Sequence, residues 1–227
     1  MLLILKEGNK ILLQNNSLIS SINMVSILSK FVAKQFWHPE GVGWSFSTFL
    51  MNRMNQKQYK AVLEHIHVWP TDRVLDIGFG NGYLIKKILE QRPQMVYGID
   101  ISEDMVNMVS RKNEVLLWKK LDLRLADVQS LSFDTTFFDK IYTVNTLYFW
   151  KDSEKSFSEI ERVLKFWGLF LNVIYTKEWL DSLSYTKHWF NKYSLEEVQH
   201  MTKKSGLQIV EVIPISQKAF CVISQKK

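Results

Sequence analysis

At 227 residues the chain is long enough for one full α/β domain with its own core and too short for two. With 46% apolar and 23% charged residues it has the balance of a globular enzyme, which excludes a disordered or fibrous chain; its single cysteine, Cys221, excludes an internal disulfide, a Cys/His zinc cluster and a two-cysteine redox pair. The net charge of +6 raises nucleic acid or an anionic membrane surface as partners, but the doublets Lys86 and Lys87, Lys119 and Lys120, Lys203 and Lys204, and Lys226 and Lys227 fall on separate predicted elements and read as solvated faces.

Met1 to Leu5 is apolar, yet Lys6, Glu7, Asn9 and Lys10 interrupt it before it forms a secretory core or a membrane span. A reducing, cytoplasmic address is the expectation. Residues 17–35 have Leu18, Ile22, Val25, Leu28 and Val32 at helical spacing, the pattern breaks at His38 to Gly43, and two more helical stretches follow at 45–55 and 57–68 before Pro70. We therefore divide one domain into a helical extension or lid, 1–59, and a core, 60–227.

From there the pattern alternates: strand 73–77, helix 82–91, strand 95–100, helix 102–118, strands 121–126 and 138–144, helix 153–164, strand 168–175 and helix 194–204. The runs 207–213 and 218–224, flanking Pro214 to Gln217, read as a closing hairpin. Alternation of this kind predicts a doubly wound, Rossmann-like, mostly parallel sheet of seven strands with an antiparallel hairpin at its C-terminal end.

The first strand of the core carries the chemistry. Val74, Leu75 and Asp76 run into Gly78, Gly80 and Gly82, and an apolar helix begins at once. Glycines permit a tight turn and let a ligand lie on bare backbone, while the N–H groups opening the helix can donate to it. A dinucleotide fingerprint would need its third glycine at position 83, which is Tyr83. Asp76 would repel a pyrophosphate but suits a ligand carrying a sulfonium and an ammonium group, such as S-adenosylmethionine (SAM). The next strand ends in Asp100, placed to accept hydrogen bonds from ribose hydroxyls, with Ser102 left to cap the following helix. The third strand ends in Asp127 and Val128, candidates for the adenine amino group and ring face.

These residues resemble the class I SAM-dependent methyltransferases over roughly 60–225, and within them the small-molecule enzymes of the ubiquinone and menaquinone biosynthesis type. DIGFGNG looks like the first motif, YGIDISEDM the second, LADV the third, FDKIYTVNTLYFW the fourth, and IERVLKFWGLFLNV the lead-in to the next strand. The resemblance implies SAM as cofactor, S-adenosylhomocysteine as product, and cofactor roles for Asp76, Ile77, Gly78, Phe79, Gly80, Gly82, Asp100, Ile101, Met105, Asp127 and Val128. One departure stands out: where those relatives usually carry Lys-Pro-Gly-Gly, this chain reads Lys165, Phe166, Trp167, Gly168.

Methyl transfer from a sulfonium is an in-line displacement that needs positioning and exclusion of water more than a strong base. Asn145 is expected to border the cofactor, and Tyr148 and Trp150 to shape the acceptor site together with Trp37, Trp44 and Met51 of the front end. His38, His188 and Tyr148 are the candidates for a catalytic base, and no metal is expected. Asn145 to Tyr148 has the outer residues of the Asn-Pro-Pro-Tyr motif of base-methylating enzymes without its two prolines, so its rigid turn is not encoded. The leading expectation is methylation of a small or amphipathic, lipid-like molecule. The alternatives are a SAM-binding partner or regulatory module without turnover and, less favoured, a nucleic-acid methyltransferase.

Overall fold

A computed structural model describes residue 53, residues 55–183, residue 186 and residues 191–227. In chain order its elements are α1 (Gln56–His65), β1 (Arg73–Ile77), α2 (Tyr83–Glu90), β2 (Met95–Asp100), α3 (Glu103–Lys112), β3 (Leu121–Leu125), β4 (Phe138–Val144), α4 (Ser153–Val163), β5 (Leu164–Tyr175), α5 (Lys177–Asp181), α6 (Leu195–Lys204), β6 (Leu207–Ser216) and β7 (Ala219–Lys226). The predicted helices over 17–35 and 45–55 lie, but for Arg53 and Asn55, outside the described residues.

The strands form one seven-stranded sheet in the order β3-β2-β1-β4-β5-β7-β6, parallel from β3 to β5 and antiparallel across β5-β7-β6. The doubly wound expectation and the closing hairpin are both met. The order reverses beside β1: β2 and β3 lie to one side and β4 to the other, so the carboxyl ends of β1 and β4 flank a crevice.

Side-chain alternation along the strands builds a core on each face of the sheet. Val74, Tyr142, Leu171 and Val173 meet Val62, Ile85 and Val109 from α1, α2 and α3, and Ile66 just past the end of α1. Leu75, Ile141, Phe170 and Ile174 turn to the other face, against Phe157, Ile160 and Val198 from α4 and α6. Among the described residues no helix is long and apolar enough to cross a membrane.

Three boundaries differ from the sequence reading. The helix from 102 ends at Lys112 rather than 118, because Asn113 Nδ2 donates to Val109 O (2.8 Å) and a single 3-10 turn, Glu114–Leu116, leads back toward β3. Leu121 has to pair with Val96, and a longer helix would carry the chain past that register. The fifth strand starts at Leu164, opposite Phe138, and Phe166 and Trp167 bulge out before pairing resumes at Leu169. The hairpin turns at Gln217 and Lys218, leaving Pro214 within β6, an edge strand where a missing N–H is tolerated.

Candidate active site

The site is assembled where β1, β2 and β4 end. At the end of β1 the glycine turn is held tightly: Gly78 N donates to Ile99 O (2.7 Å), and Gly78 and Gly82 have φ of 72° and 75°. A side chain on Gly78 would run into Thr146 Cγ2, and one on Gly82 would lie 2.7 Å from Val109 Cγ1. The left-handed backbone and the lack of room together require glycine here. Gly82→Ala is therefore expected to cost about 2 kcal/mol, combining the left-handed penalty with a clash inside a close-packed core. Thermal unfolding should show Tm lower by about 4–8 °C.

Asp100, at the end of β2, spans this turn. Its Oδ2 accepts from Gly80 N (2.8 Å) and its Oδ1 from Ser102 N (2.9 Å). Burial raises its pKa, and the backbone hydrogen bonds from Ser102, Gly80 and Ile101 oppose the rise. Each oxygen still has a lone pair for a further donor. Ser102 also caps α3, its Oγ accepting from Met105 N (3.4 Å), so the acid and the cap are separate residues.

Asp76 is only 3% exposed, and the Tyr142 hydroxyl donates to its Oδ2 at 2.8 Å. No lysine, arginine or histidine among the described residues forms an ion pair with it. Burial pushes its carboxyl up to about 8; the Tyr142 hydrogen bond offsets part of this and the Asp100 charge adds to it. Tyr142 was not foreseen from the sequence. It sits directly across from Asp76 in the β1-β4 register, so aligning the two predicted strands would have found it.

Above this floor lies a second polar group that sequence reasoning also missed. Asn55 Oδ1 accepts from Asn145 Nδ2 and from the Tyr175 hydroxyl, both at 3.0 Å, tying the chain just before α1 to the ends of β4 and β5. Tyr59, one turn further along α1, stacks on Tyr83 at 4.9 Å, and burial pushes its phenol up to about 12. Asn145 itself has φ of 59°, and its N–H donates to Val173 O (2.8 Å).

The other predicted site residues divide. Phe79 and Val128 are buried at the strand ends, whereas Ile101 is 61% exposed. Asp127 accepts from Gln129 N and Nε2 (3.0 and 2.9 Å), closing its own turn. Tyr148 is buried, with its hydroxyl donating to Asn145 Oδ1 (3.3 Å) and accepting from Tyr175 N. Burial raises its pKa well above the ordinary tyrosine value. Trp150 lies in the core, edge-on to Phe157 at 5.8 Å. Trp37, His38, Trp44, Met51 and His188 lie outside the described residues. No cluster of three metal-ligating side chains occurs among the described residues.

The residues present fit SAM. The glycine turn offers bare backbone, with nothing within 4 Å of where a side chain on Gly80 would begin. Asp100 has remaining acceptor capacity for two hydroxyls, and Asp76 is a buried carboxyl whose charged form a neighbouring cation would stabilise. With this sheet order, fold and site together define a class I SAM-dependent methyltransferase.

Comparison with known proteins agrees. A family model described as "Methyltransferase domain" matches residues 75–172. An uncharacterized methyltransferase of Bacillus subtilis is 27% identical over 118 residues, covering 52% of this chain and 64% of that protein. Demethylmenaquinone methyltransferase of Bacteroides fragilis is 34% identical over 98 residues, covering 42% of this chain and 40% of the relative. The chain thus spans less than two-thirds of the length of these curated relatives. Among solved structures, a SAM-dependent methyltransferase of Aquifex aeolicus superposes with a TM-score of 0.65 at 21% identity, over 78% of this chain and 93% of its own. The matched stretch, residues 75–172, is a methyltransferase domain, and the fold, the site and these relatives support a class I SAM-dependent enzyme with SAM as its cofactor.

Proposed function

We propose that this chain transfers a methyl group from SAM to a small, amphipathic acceptor. The observation that carries the reading is Asp76: a buried carboxylate with no ion-pair partner among the described residues, set beside a glycine turn at the crevice where the strand order reverses. When bound, SAM supplies a methyl group on a positively charged sulfur. The chain's own residues bind and orient. Asp76 faces the ammonium end, Asp100 takes the ribose hydroxyls, and Val128 packs against the adenine, beside Asp127.

Asn145 and Tyr148 border the reacting end. The Tyr148 hydroxyl is committed to Asn145 and to the backbone of Tyr175, and its pKa is raised, so it acts as a fixed dipole rather than a base. Tyr175 and Asn55 continue the same polar wall. Asn55 anchors the start of the described fold to this wall, and Trp37, Trp44 and Met51 are the apolar residues we assign to the acceptor site from the sequence. An acceptor with one polar, methyl-accepting end and an apolar body suits that combination, and the demethylmenaquinone methyltransferase relative supports a quinol-like molecule.

The test is transfer of labelled methyl from SAM to a panel of quinols, phenols, amines and lipids. Label is expected on an amphipathic quinol or phenol. SAM binding with no transfer to any member of the panel would overturn turnover in favour of a SAM-binding partner module.

A further inference from the structure

We propose that the edge of the sheet opposite the cofactor site is a docking surface for a lipid bilayer rich in anionic headgroups. The amino ends of the strands carry large apolar side chains held out in solvent: Trp69 before β1 is 65% exposed, Trp118 before β3 76%, and Phe166 and Trp167 in the β5 bulge 61% and 67%. In the order β3-β2-β1-β4-β5 the three tryptophans rise from alternate strands, on turns spaced by about 10 Å and spanning about 19 Å in all, given the usual distance between neighbouring strands.

These rings are mounted rather than loose. Trp118 and Trp167 both adopt the left-handed backbone, at φ of 63° and 67°, a region that disfavours bulky residues. Trp118 N donates to Leu121 O (2.7 Å), and Gln225 Nε2 donates to Trp167 O (3.1 Å). Lys165 is clamped on Asp139, and the Lys226 ammonium lies 5.3 Å from the Phe166 ring centroid while bonded to Glu161. The fold gains no core from the rings. Moreover, Phe166 and Trp167 stand where related methyltransferases usually have proline and glycine.

Two of the four lysine doublets, dispersed in the sequence, meet at this edge, Lys119 and Lys120 before β3 and Lys226 and Lys227 closing β7 opposite Leu207, and Lys203 joins them just before β6, while the Lys204 ammonium is drawn away to Glu154 in the first turn of α4. Acids nearby are already engaged, Asp139 by Lys165 and Glu161 by Lys226. That leaves Asp72, bonded to Trp69 N (2.9 Å), Glu114 and Asp134 against Arg92, Lys119, Lys120, Lys203 and Lys227, which form no ion pair among the described residues.

Indole rings interleaved with lysines are what an anionic bilayer interface takes up, each basic side chain adding about fivefold to attraction. A protein interface would concentrate apolar area in its centre and deplete charge there. A nucleic-acid strand would need rings close enough for successive bases to stack along a groove, whereas these rings stand on separate turns.

The test is cosedimentation of the full chain with vesicles of phosphatidylcholine alone or with about one-third phosphatidylserine. Binding is expected to the mixed vesicles, to fall at least tenfold in the double variant Trp118→Ala/Trp167→Ala, and to weaken with salt less steeply in Lys119→Gln/Lys120→Gln. Calorimetric SAM binding should be unchanged in both variants, which shows that they fold. No partition to mixed vesicles would overturn the proposal, as would unchanged partition in the tryptophan variant. Preferential binding of single-stranded RNA through the same residues, or self-association lost in the tryptophan variant, would equally overturn it by naming a different occupant.

Discussion

Asp100→Ala is expected to weaken SAM binding by at least 100-fold, measured by calorimetry. Two hydroxyl hydrogen bonds to a carboxylate contribute about 1.5–3 kcal/mol each when charge-assisted, and the loss of about 2.7 kcal/mol already corresponds to 100-fold. The same substitution strips Gly80 N and Ser102 N of their acceptor, so the glycine turn loses the brace that holds it under the ligand. Asp100→Asn discriminates the two effects. An amide keeps one acceptor oxygen and loses the charge, so the turn keeps part of its brace and affinity should fall between those of wild type and Ala. Heat equal to wild type in Asp100→Ala would overturn the ribose role.

The candidate cofactor floor was legible where its chemistry is linear in sequence. Asp76, Gly78, Gly80 and Gly82 are contiguous, and Asp100 closes the next strand, so strand, acid and turn could be read together. What could not be read depends on register. Tyr142 reaches Asp76 from 66 residues away, and only the pairing of β1 with β4 brings them together. Asn55 is joined to Asn145 and Tyr175 by the same kind of long-range closure. Trp150 shows the limit of reading a site from strand ends, since the 3-10 turn at Leu147–Phe149 swings it back into the core against Phe157. The lysine doublets lie on separate elements, as the sequence indicated, but parallel strands start at one edge and deliver several of them there. Charge on a fold is a property of topology as much as of spacing.

SAM affinity is expected to depend on pH through Asp76. The carboxyl is raised to about 8, so at pH 7 roughly one molecule in ten carries the charged form that a positive ammonium requires. The apparent affinity is reduced by that fraction, and it should rise about tenfold per pH unit from 6 toward 8. The ligand's own amino group loses its proton at about 7.7–8.0, so the profile should pass through a maximum near pH 8 and fall beyond it. Asp76→Asn should flatten the rising limb alone and leave the falling limb, which belongs to the ligand. The stability of the ligand-free protein runs in the opposite direction. A folded pKa above the unfolded value of 3.8 means that the native state holds the proton longer. The corresponding stability is complete below pH 3.8 and is lost progressively as pH rises to about 8. At pH 8 the charged Asp76 is therefore a burden that the bound cation relieves. Asp76→Asn should raise Tm of the ligand-free protein there by about 5 °C or more while abolishing most of the Tm gain from SAM. Equal Tm values for the two proteins at pH 8, with parallel affinity profiles between pH 6 and 8, would show that Asp76 is neither strained by burial nor the partner of the ammonium group.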